Sequence, residues 1–547
     1  MTDGTIKSAY HRMAVDRQWY LTEAMESAKL TIPSIMPSDQ DITLIEMRNS
    51  PVDIPKPWQS LGARGTRNLA AKLVLAIFPP TGAFMRYMLS PEFKRELEAP
   101  ERQEQRAEIE KGFAMRERAI ADDIETANVR TKTDQVMRHL LVAGNMMAYL
   151  PPGGGVRTFP LNSYVCRRDF MGDVVELIYV EPLDRANLPE AIRETLLKHG
   201  AEEDPQAPGE LKICDTEKDK TVMVYTRVRL RDARYYFTQE VDGHEVESKR
   251  GSVPKAKMPY LVLRLTIIDG EDYGRGYVEE FRGDLRSLEE LRKSIVIASL
   301  NAARLIPLVR PGAAVTPKKL MEAQNGQAIF GQDGDVVMLQ QQKQGDMQVA
   351  AATSSDLVTA LSAAFLLNSS FQRQAERVTA EEVRRMAEEL DDALGGFYSV
   401  MSQEYQLPLA LRTEERLIKK GVLNRLEPKD AARPVVVTGL AAIGRGHEFN
   451  RTRELYNYLA TEVMPLIPDV GMNLNGRDAI LRGAIGLGVE TEGMLKSEEQ
   501  LAEEQRQQQA AIQRQTLLEA GAPEISKVAA QEIGGQVGQQ VAQSAPQ

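Results

Sequence analysis

The sequence predicts an α+β chain in which helix predominates, and three observations carry that prediction. Long stretches, notably 59–84, 277–304 and 378–406, repeat apolar residues at helical spacing,. One block, 148–270, instead shows the short, turn-punctuated alternation of strands,. Composition is that of an ordinary globular protein, with 42% apolar and 27% charged residues over 547 positions,. At about 150 residues per domain the length corresponds to three or four domain-sized units.

Helical spacing runs from Ser8 to about Met36, and the prolines of 51–58 then demand extended backbone,. In 59–84 the stripe Leu69, Leu73, Ala76, Ile77 marks a helix that Pro79 and Pro80 stop,. The charged stretch Glu92–Thr126 and the amphipathic Thr131–Gly144 read as a helical hairpin. Strands follow in 148–180, 221–246 and 259–270, with one helix near Leu188–Lys198 and a hairpin turn at Asp242-Gly243,. Residues 277–304 place Phe281, Leu285, Leu288, Ile295, Ala298 and Ala302 on one stripe of a helix roughly 40 Å long,. Residues 306–346 read strand, short helix (Pro317–Ala323), strand, and helical spacing returns at Ser354–Leu367. After a polar loop another long helix begins: Thr379 is its N-cap, Glu382 completes a capping box, and Val378 can staple onto Val383,. Shorter helices are expected at 448–465, 476–486 and 497–519. The Gln-rich tail after Gly521 has little to bury and reads as disordered,.

Several function classes lack their residues. Only Cys166 and Cys214 are present, too few for a disulfide framework or a thiolate cluster, and they read as buried, inert thiols,. No apolar run reaches the roughly 18 residues of a membrane span, and the first twenty residues are too charged for a secretory signal. Neither a phosphate loop nor a GxSxG elbow is found, and the five histidines show no metal-ligand spacing,. His139 reads as a packed helix residue, and Asp122-Asp123 as a solvated face. The short Gly-rich patterns at 62–65, 274–276 and 444–447 read as turns or caps,. No enzyme activity, cofactor or metal is expected. A net charge of −10 also argues against a sequence-reading nucleic-acid binder, which needs a basic footprint,.

Five long word-like stretches occur in order: PKPWQSLGARGTRNLAAKLVLAIFP (55–79), LLVAGNMMAYLP (140–151), YGRGYVEEFRGDLRSLEEL (273–291), 376–409 and GLAAIGRG (439–446). Together they resemble the portal, or head-to-tail connector, proteins of short-tailed bacteriophages, in the group typified by T-odd coliphages. The resemblance implies a cyclic ring of twelve subunits, with wing, stem, clip and crown around a DNA channel. Mapped here, 1–276 is the wing, 277–305 a stem helix, 306–346 the clip, 347–367 the second stem helix and 368–378 the tunnel loop. Residues 379–440 are the long wing helix and return strand, 441–520 the crown and 521–547 the disordered tail.

On that mapping Phe371, Gln372, Arg373, Gln374 and Arg377 form a collar that touches DNA phosphates without reading bases. The plain alternative is a solvated loop whose arginines pair with Glu376 or Glu381. Arg310, Lys318 and Lys319 of the clip meet the packaging motor and then the tail, or are simply exposed at a helix start. Implied partners are further copies of the chain, double-stranded DNA, the terminase large subunit, a tail adaptor, major capsid and scaffolding proteins, and internal core proteins, with no direct membrane contact. The implied location is the head-tail vertex of the virion, after assembly in the host cytoplasm. Two other readings stay open: a pore-less virion scaffold or adaptor, and a DNA-processing enzyme.

Overall fold

In a computed structural model of the chain, the described residues are 5–43, 53–79, 84–90, 93, 95, 103–201, 203–204, 207–211, 221–302, 306–324, 327–339, 344–367, 400–425, 432–436 and 461. The chain divides into two units, 1–443 and 444–547, and all described residues except 461 lie in the first.

Helix α1 spans Ile6–Leu30. Thr5 caps it, its hydroxyl accepting from the Ser8 amide at 3.3 Å,. The amides of Ile6 and Lys7 donate to the Glu240 carboxylate, which places a negative charge at the positive end of the helix dipole,. The expected continuation to Met36 does not form. Thr31 instead turns the chain by donating its hydroxyl to the Ser27 carbonyl at 2.8 Å, while Ile32 and Met36 stay buried without being helical. Helix α2, Leu61–Ile77, buries Leu69, Leu73 and Ile77 and ends at Phe78, ahead of Pro79 as expected.

Strand β1 (Met85–Leu89) precedes the helical hairpin of α3 (Gln103–Thr126) and α4 (Val129–Ala143). The two helices join through Ala127-Asn128, with Asn128 at φ 52°. Helix α4 ends on Gly144 at φ 70°, where a Cβ would lie 2.4 Å from the Arg275 backbone. That close approach makes the glycines at 274 and 276 packing positions, and Gly276 also caps the helix that follows, as the reading of turns or caps expected.

His139 sits on α4 as a packed residue, and burial alone pulls its pKa down to about 4. The ring is therefore neutral in the folded chain below the pH at which the unfolded chain protonates it, so the unfolded state binds the extra proton. Stability from this site is complete above about pH 6.5 and falls as pH drops toward 4, by about 3 kcal/mol in total,. Urea midpoints of the unaltered chain and of His139→Leu should diverge across that window, the unaltered chain losing ground in acid. Parallel curves would remove the assignment.

The block from 145 to 264 is antiparallel. Strands β2 (Asn145–Tyr149) and β3 (Arg157–Phe159) pair with each other, and β2 also pairs with the later β12. Strands β4 (Tyr164–Arg168) and β5 (Val174–Asp184) open a six-stranded sheet. Helix α5 (Glu190–Lys198) lies where a helix was expected, and β6 (Glu203–Asp204) and β7 (Ala207–Leu211) form a separate pair. Strands β8 (Thr221–Arg231), β9 (Arg234–Val241), β10 (His244–Glu245) and β11 (Gly251–Pro254) complete the large sheet. Strand β12 is Tyr260–Arg264.

The large sheet has two different faces. Cys166, Leu177 and Val228 are cross-strand neighbours that join the main core with α2, α4 and β2. Val165, Ile178 and Tyr225 face α1 instead, against Ile6, Tyr10 and Met13. Its edge strand β4 is covered: the Cys166 amide donates to Tyr273 Oη at 3.0 Å and the Arg168 amide to Asp272 Oδ1 at 2.6 Å,. Burial pushes the Cys166 thiol up to about 11, so it stays protonated, in line with an inert cysteine,. Cys214 lies outside the described residues.

The expected single helix at 277–304 is broken. Helix α6 (Tyr277–Glu280) stops at Phe281, and α7 (Arg282–Ala302) starts anew. Phe281 leaves the helical conformation with its ring against Tyr277 and Phe365. Then come β13 (Ile306–Val309), α8 (Pro317–Glu322) and β14 (Val336–Leu339), the strand-helix-strand order read from sequence, and α9 (Gln344–Ala364). The described chain ends with a π-helical turn at Ser402–Gln406, α10 (Leu407–Lys419) and β15 (Ala432–Val436), which pairs with β1.

Candidate functional site

Helices α7 and α9 pack on each other, joined through the β13–β14 hairpin, and they leave the core together. Leu285 and Leu288 at the start of α7 are buried, as are Leu361 and Phe365 at the end of α9. Beyond Leu288 no described residue of α7 is buried; Leu291, Ile295 and Ala298 are half-buried, while Val296, Ile297 and Leu300 are exposed. In α9 the first described buried residue is Ser354, and Val349 is exposed. Two helices bury only the seam between them, so the rest of each apolar stripe stays wet. The result is a two-helix stalk with an uncovered apolar side.

At the far end of the stalk the hairpin insert is held by few groups. Arg310 donates its amide to the Asp335 carbonyl at 3.0 Å, and the Asp335 carboxylate accepts from the Gln332 amide at 2.8 Å. Thr316 caps α8, with Pro317 at its first turn,. Arg310, Lys318 and Lys319 are all exposed on this insert, and Lys318 reaches Glu322 only loosely, at 3.9 Å. Large apolar side chains share the surface: Phe330 is 95% exposed, and Met321, Leu308 and Val337 are exposed as well.

At the near end, α9 is stopped by side chains from α2. Leu366 takes the left-handed conformation at φ 51°, unusual for a non-glycine residue,. Its carbonyl accepts from Lys72 Nζ at 2.8 Å and from Asn68 Nδ2 at 3.0 Å. The buried ammonium thus sits on the negative end of the α9 dipole,. Tyr277 Oη donates to the Ala364 carbonyl at 2.8 Å. Gly65 admits the Phe365 ring, since a Cβ there would lie 2.6 Å from Phe365 Cγ. The pattern at 62–65, read as a turn or cap, forms the first turn of α2, where its glycines also allow close contact. A Gly62 Cβ would in turn meet the Leu30 carbonyl at 2.3 Å.

These contacts fix the root of the stretch 368–378. The stretch itself, with Phe371, Gln372, Arg373, Gln374 and Arg377, lies outside the described residues. So do the helix start at Thr379, the glycines at 444–446 and Asp391-Asp392, which by sequence reads as a solvated helix face like Asp122-Asp123.

The structure brings together two further sets that the sequence did not group. Gln59 ties three elements, its side chain donating to the Leu30 carbonyl at 2.6 Å and accepting from the Gly62 amide at 2.8 Å. Its own amide and that of Trp58 donate to the Glu289 carboxylate of α7 at 3.0 and 2.8 Å. The base of the stalk is thereby anchored to α1 and α2. The rings of His199 and His244 stack at 3.8 Å, though 45 residues separate them in sequence. Asp123, read as part of a solvated face, instead pairs with Arg416 of α10. Among the described residues there is no cluster of three or more metal-ligating side chains.

Residues 3–495 match the family described as bacteriophage head to tail connecting protein. The chain is 38% identical to the portal protein of Escherichia phage T7 over 97% of both chains. It is 38% identical to the portal protein of Enterobacteria phage T3, over 90% of this chain and 88% of that one. Among solved structures, a chain from the neck of an empty GTA particle computed with C6 symmetry aligns with a TM-score of 0.35 at 10% identity, covering 79% of this chain and 90% of that one.

Proposed function

The chain belongs to the bacteriophage head to tail connecting protein family and is a head-tail connector of the virion, and from that premise we propose that it acts as a ring of twelve copies enclosing a DNA channel. The observation that carries the ring is the uncovered apolar side of the α7–α9 stalk. A stripe that one copy cannot cover is covered by the next, and a head-to-tail contact repeated around an axis closes into a ring. On this reading 277–305 and 347–367 form the stem, 306–346 the clip, 1–276 and 379–440 the wing and 441–520 the crown. Imaging of the purified protein tests it: rings with a central hole support the proposal, and single compact copies at high concentration contradict it.

The genome passes through such a channel during packaging and ejection, so the wall must not grip it. Twelve copies at −10 carry about −120 in all, and acidic groups facing the bore would repel phosphate,. Within that field 368–378 acts as a loose collar, with Arg373 and Arg377 making weak phosphate contacts. Replacing both with alanine should leave rings intact while DNA packaging or retention falls; unchanged packaging would remove the collar.

The exposed insert bearing Arg310, Lys318 and Lys319 is the docking surface for the terminase large subunit during filling and for the tail adaptor afterwards. Phe330 and Met321 on the same insert supply the apolar contacts that such exchangeable interfaces use,. Assembly takes place in the host cytoplasm, with capsid, scaffolding and internal core proteins as the remaining partners. ATP hydrolysis belongs to the terminase, and this chain contributes shape and charge.

A further inference from the structure

We infer that the end of the six-stranded sheet where the β4–β5 and β8–β9 hairpins turn is a docking site for duplex DNA, with arginines on the phosphates and an apolar wedge against the base stack. The site is built from the residues of one copy and stands whether or not twelve copies close into a ring.

The two turns lie side by side because Glu176 of β5 pairs with Arg229 of β8, only a few residues from either turn. The β4–β5 turn presents Phe170, 96% exposed, and Met171, 74% exposed. An exposed Phe-Met pair is costly in water, yet this turn is built to hold it out. Asp169 Oδ1 accepts from the Met171 amide at 3.0 Å and the Asp173 amide at 2.9 Å. Arg168 donates to the Gly172 carbonyl at 2.8 Å and to the Val262 carbonyl at 2.8 Å, tying the turn to β12. The wedge is therefore rigid before it meets a ligand.

The neighbouring turn carries an unneutralised cation pair. Arg231 and Arg234 are exposed and directly opposed across β8 and β9, an arrangement that repels in the absence of an anion,. The rung beside them shows what is missing: Glu176 Oε1 accepts from Arg227 Nε at 2.6 Å and Arg229 Nε at 3.0 Å. Among the described residues Arg231 and Arg234 form no ion pair, although Asp232 shares their turn, and Arg234 makes only a 3.1 Å bond to Ser252 Oγ. An external anion would complete this second rung.

Three features together favour duplex DNA over an acidic protein. The cations are arginines, whose planar forks fit phosphate oxygens. The apolar residues stand at a projecting tip rather than in a concavity. Phe and Met beside arginines are also the side chains that wedge between base steps and kink a duplex while cations hold its flanking phosphates.

The test uses the purified full-length protein and a labelled short duplex of random sequence, titrated over a salt series, with bending read by end-to-end energy transfer. Arg231→Ala with Arg234→Ala should lower the slope of log Kobs against log salt by about 1.8 per bound copy, the share of two phosphate contacts. Phe170→Ser with Met171→Ser should leave that slope unchanged and abolish the bending. All four positions are exposed, so melting curves should match the unaltered chain and separate binding loss from misfolding. DNA bound in a channel contributes equally to every variant and cancels in the comparison. Slopes and bending unchanged in both variants would overturn the inference. So would variants that bind DNA normally but sediment differently, since the tip would then be a protein contact.

Discussion

Asp41→Ala is expected to destabilise the protein by about 3–5 kcal/mol, as the removal of one partner from a buried ion pair does. The pair is Arg17 of α1 and Asp41, bonded at 2.5 Å, and the Arg17 side chain is 0% exposed. Arg17 also donates to the Leu161 carbonyl at 3.0 Å and to the Tyr164 carbonyl, the two ends of the turn that leads into β4. Tyr10 completes the group, its hydroxyl donating to Asp41 Oδ1 at 3.1 Å, and burial raises its pKa so that it remains a donor at all ordinary pH. Asp41 in turn accepts from the Thr43 amide at 2.9 Å, which fixes the chain after the helix. Without the carboxylate a guanidinium stays buried against carbonyls that satisfy its hydrogens but not its charge. Asp41→Asn should cost less, because it keeps the shape and the acceptor. Replacing both partners, Arg17→Met with Asp41→Leu, should recover much of the loss of the single change, since no buried charge is then left alone. Urea midpoints at neutral pH rank the three variants. A loss for Asp41→Ala below about 1 kcal/mol would mean that Arg17 reaches water in the variant, and the cluster would not be what locks α1 to the sheet.

That cluster also marks where sequence reading stops. The apolar stripe Leu69, Leu73, Ile77 and the Pro79 stop reveal α2 directly, because period and breaker are both local. Arg17 stands in a helix beside charged residues such as Arg12 and Asp16 that are exposed, and no local signal separates it from them. Its burial depends on Asp41 and on carbonyls almost 150 residues away. The same limit hid the glycines at 62 and 65. As letters they fit a turn, while in space they are where α2 touches the end of α1 and the Phe365 ring. The break at Phe281 was hidden by a stripe that keeps helical period across it, the aromatic cluster with Tyr277 and Phe365 outweighing local preference. Asp242-Gly243 was legible as a hairpin, but its twin at Asp232-Ala233 was not, since alanine at φ 59° gives no warning,. The stalk was legible as two long amphipathic helices; that its apolar side is left uncovered could only be seen once the core was known.

Ile297→Glu with Leu300→Glu is expected to yield folded single copies under conditions in which the unaltered chain assembles. Both side chains lie on the part of α7 that has left the core, Ile297 42% and Leu300 61% exposed, so the substitutions remove only partial packing within one copy. In a ring each would face the neighbouring stalk. Full burial of a Leu or Ile side chain is worth about 1.5–3 kcal/mol, and the fraction still wet in one copy is what the neighbour can add, roughly half of that for each. Putting two carboxylates into the same contact adds a desolvation cost of several kcal/mol more, with no cation assigned to meet them. A loss of about 4 kcal/mol corresponds to roughly a thousandfold at one junction. Every copy carries the change, so every junction of a closed ring suffers it, and assembly fails at concentrations where a single weak contact would be tolerated. Circular dichroism melts of the variant should match those of separated unaltered copies, while mass photometry should lose the ring-sized species. Ile297→Val with Leu300→Met, which keeps the stripe apolar, should restore it. Rings of normal size from the double glutamate variant would show that the stalk is not where copies meet, and the uncovered stripe would need another partner.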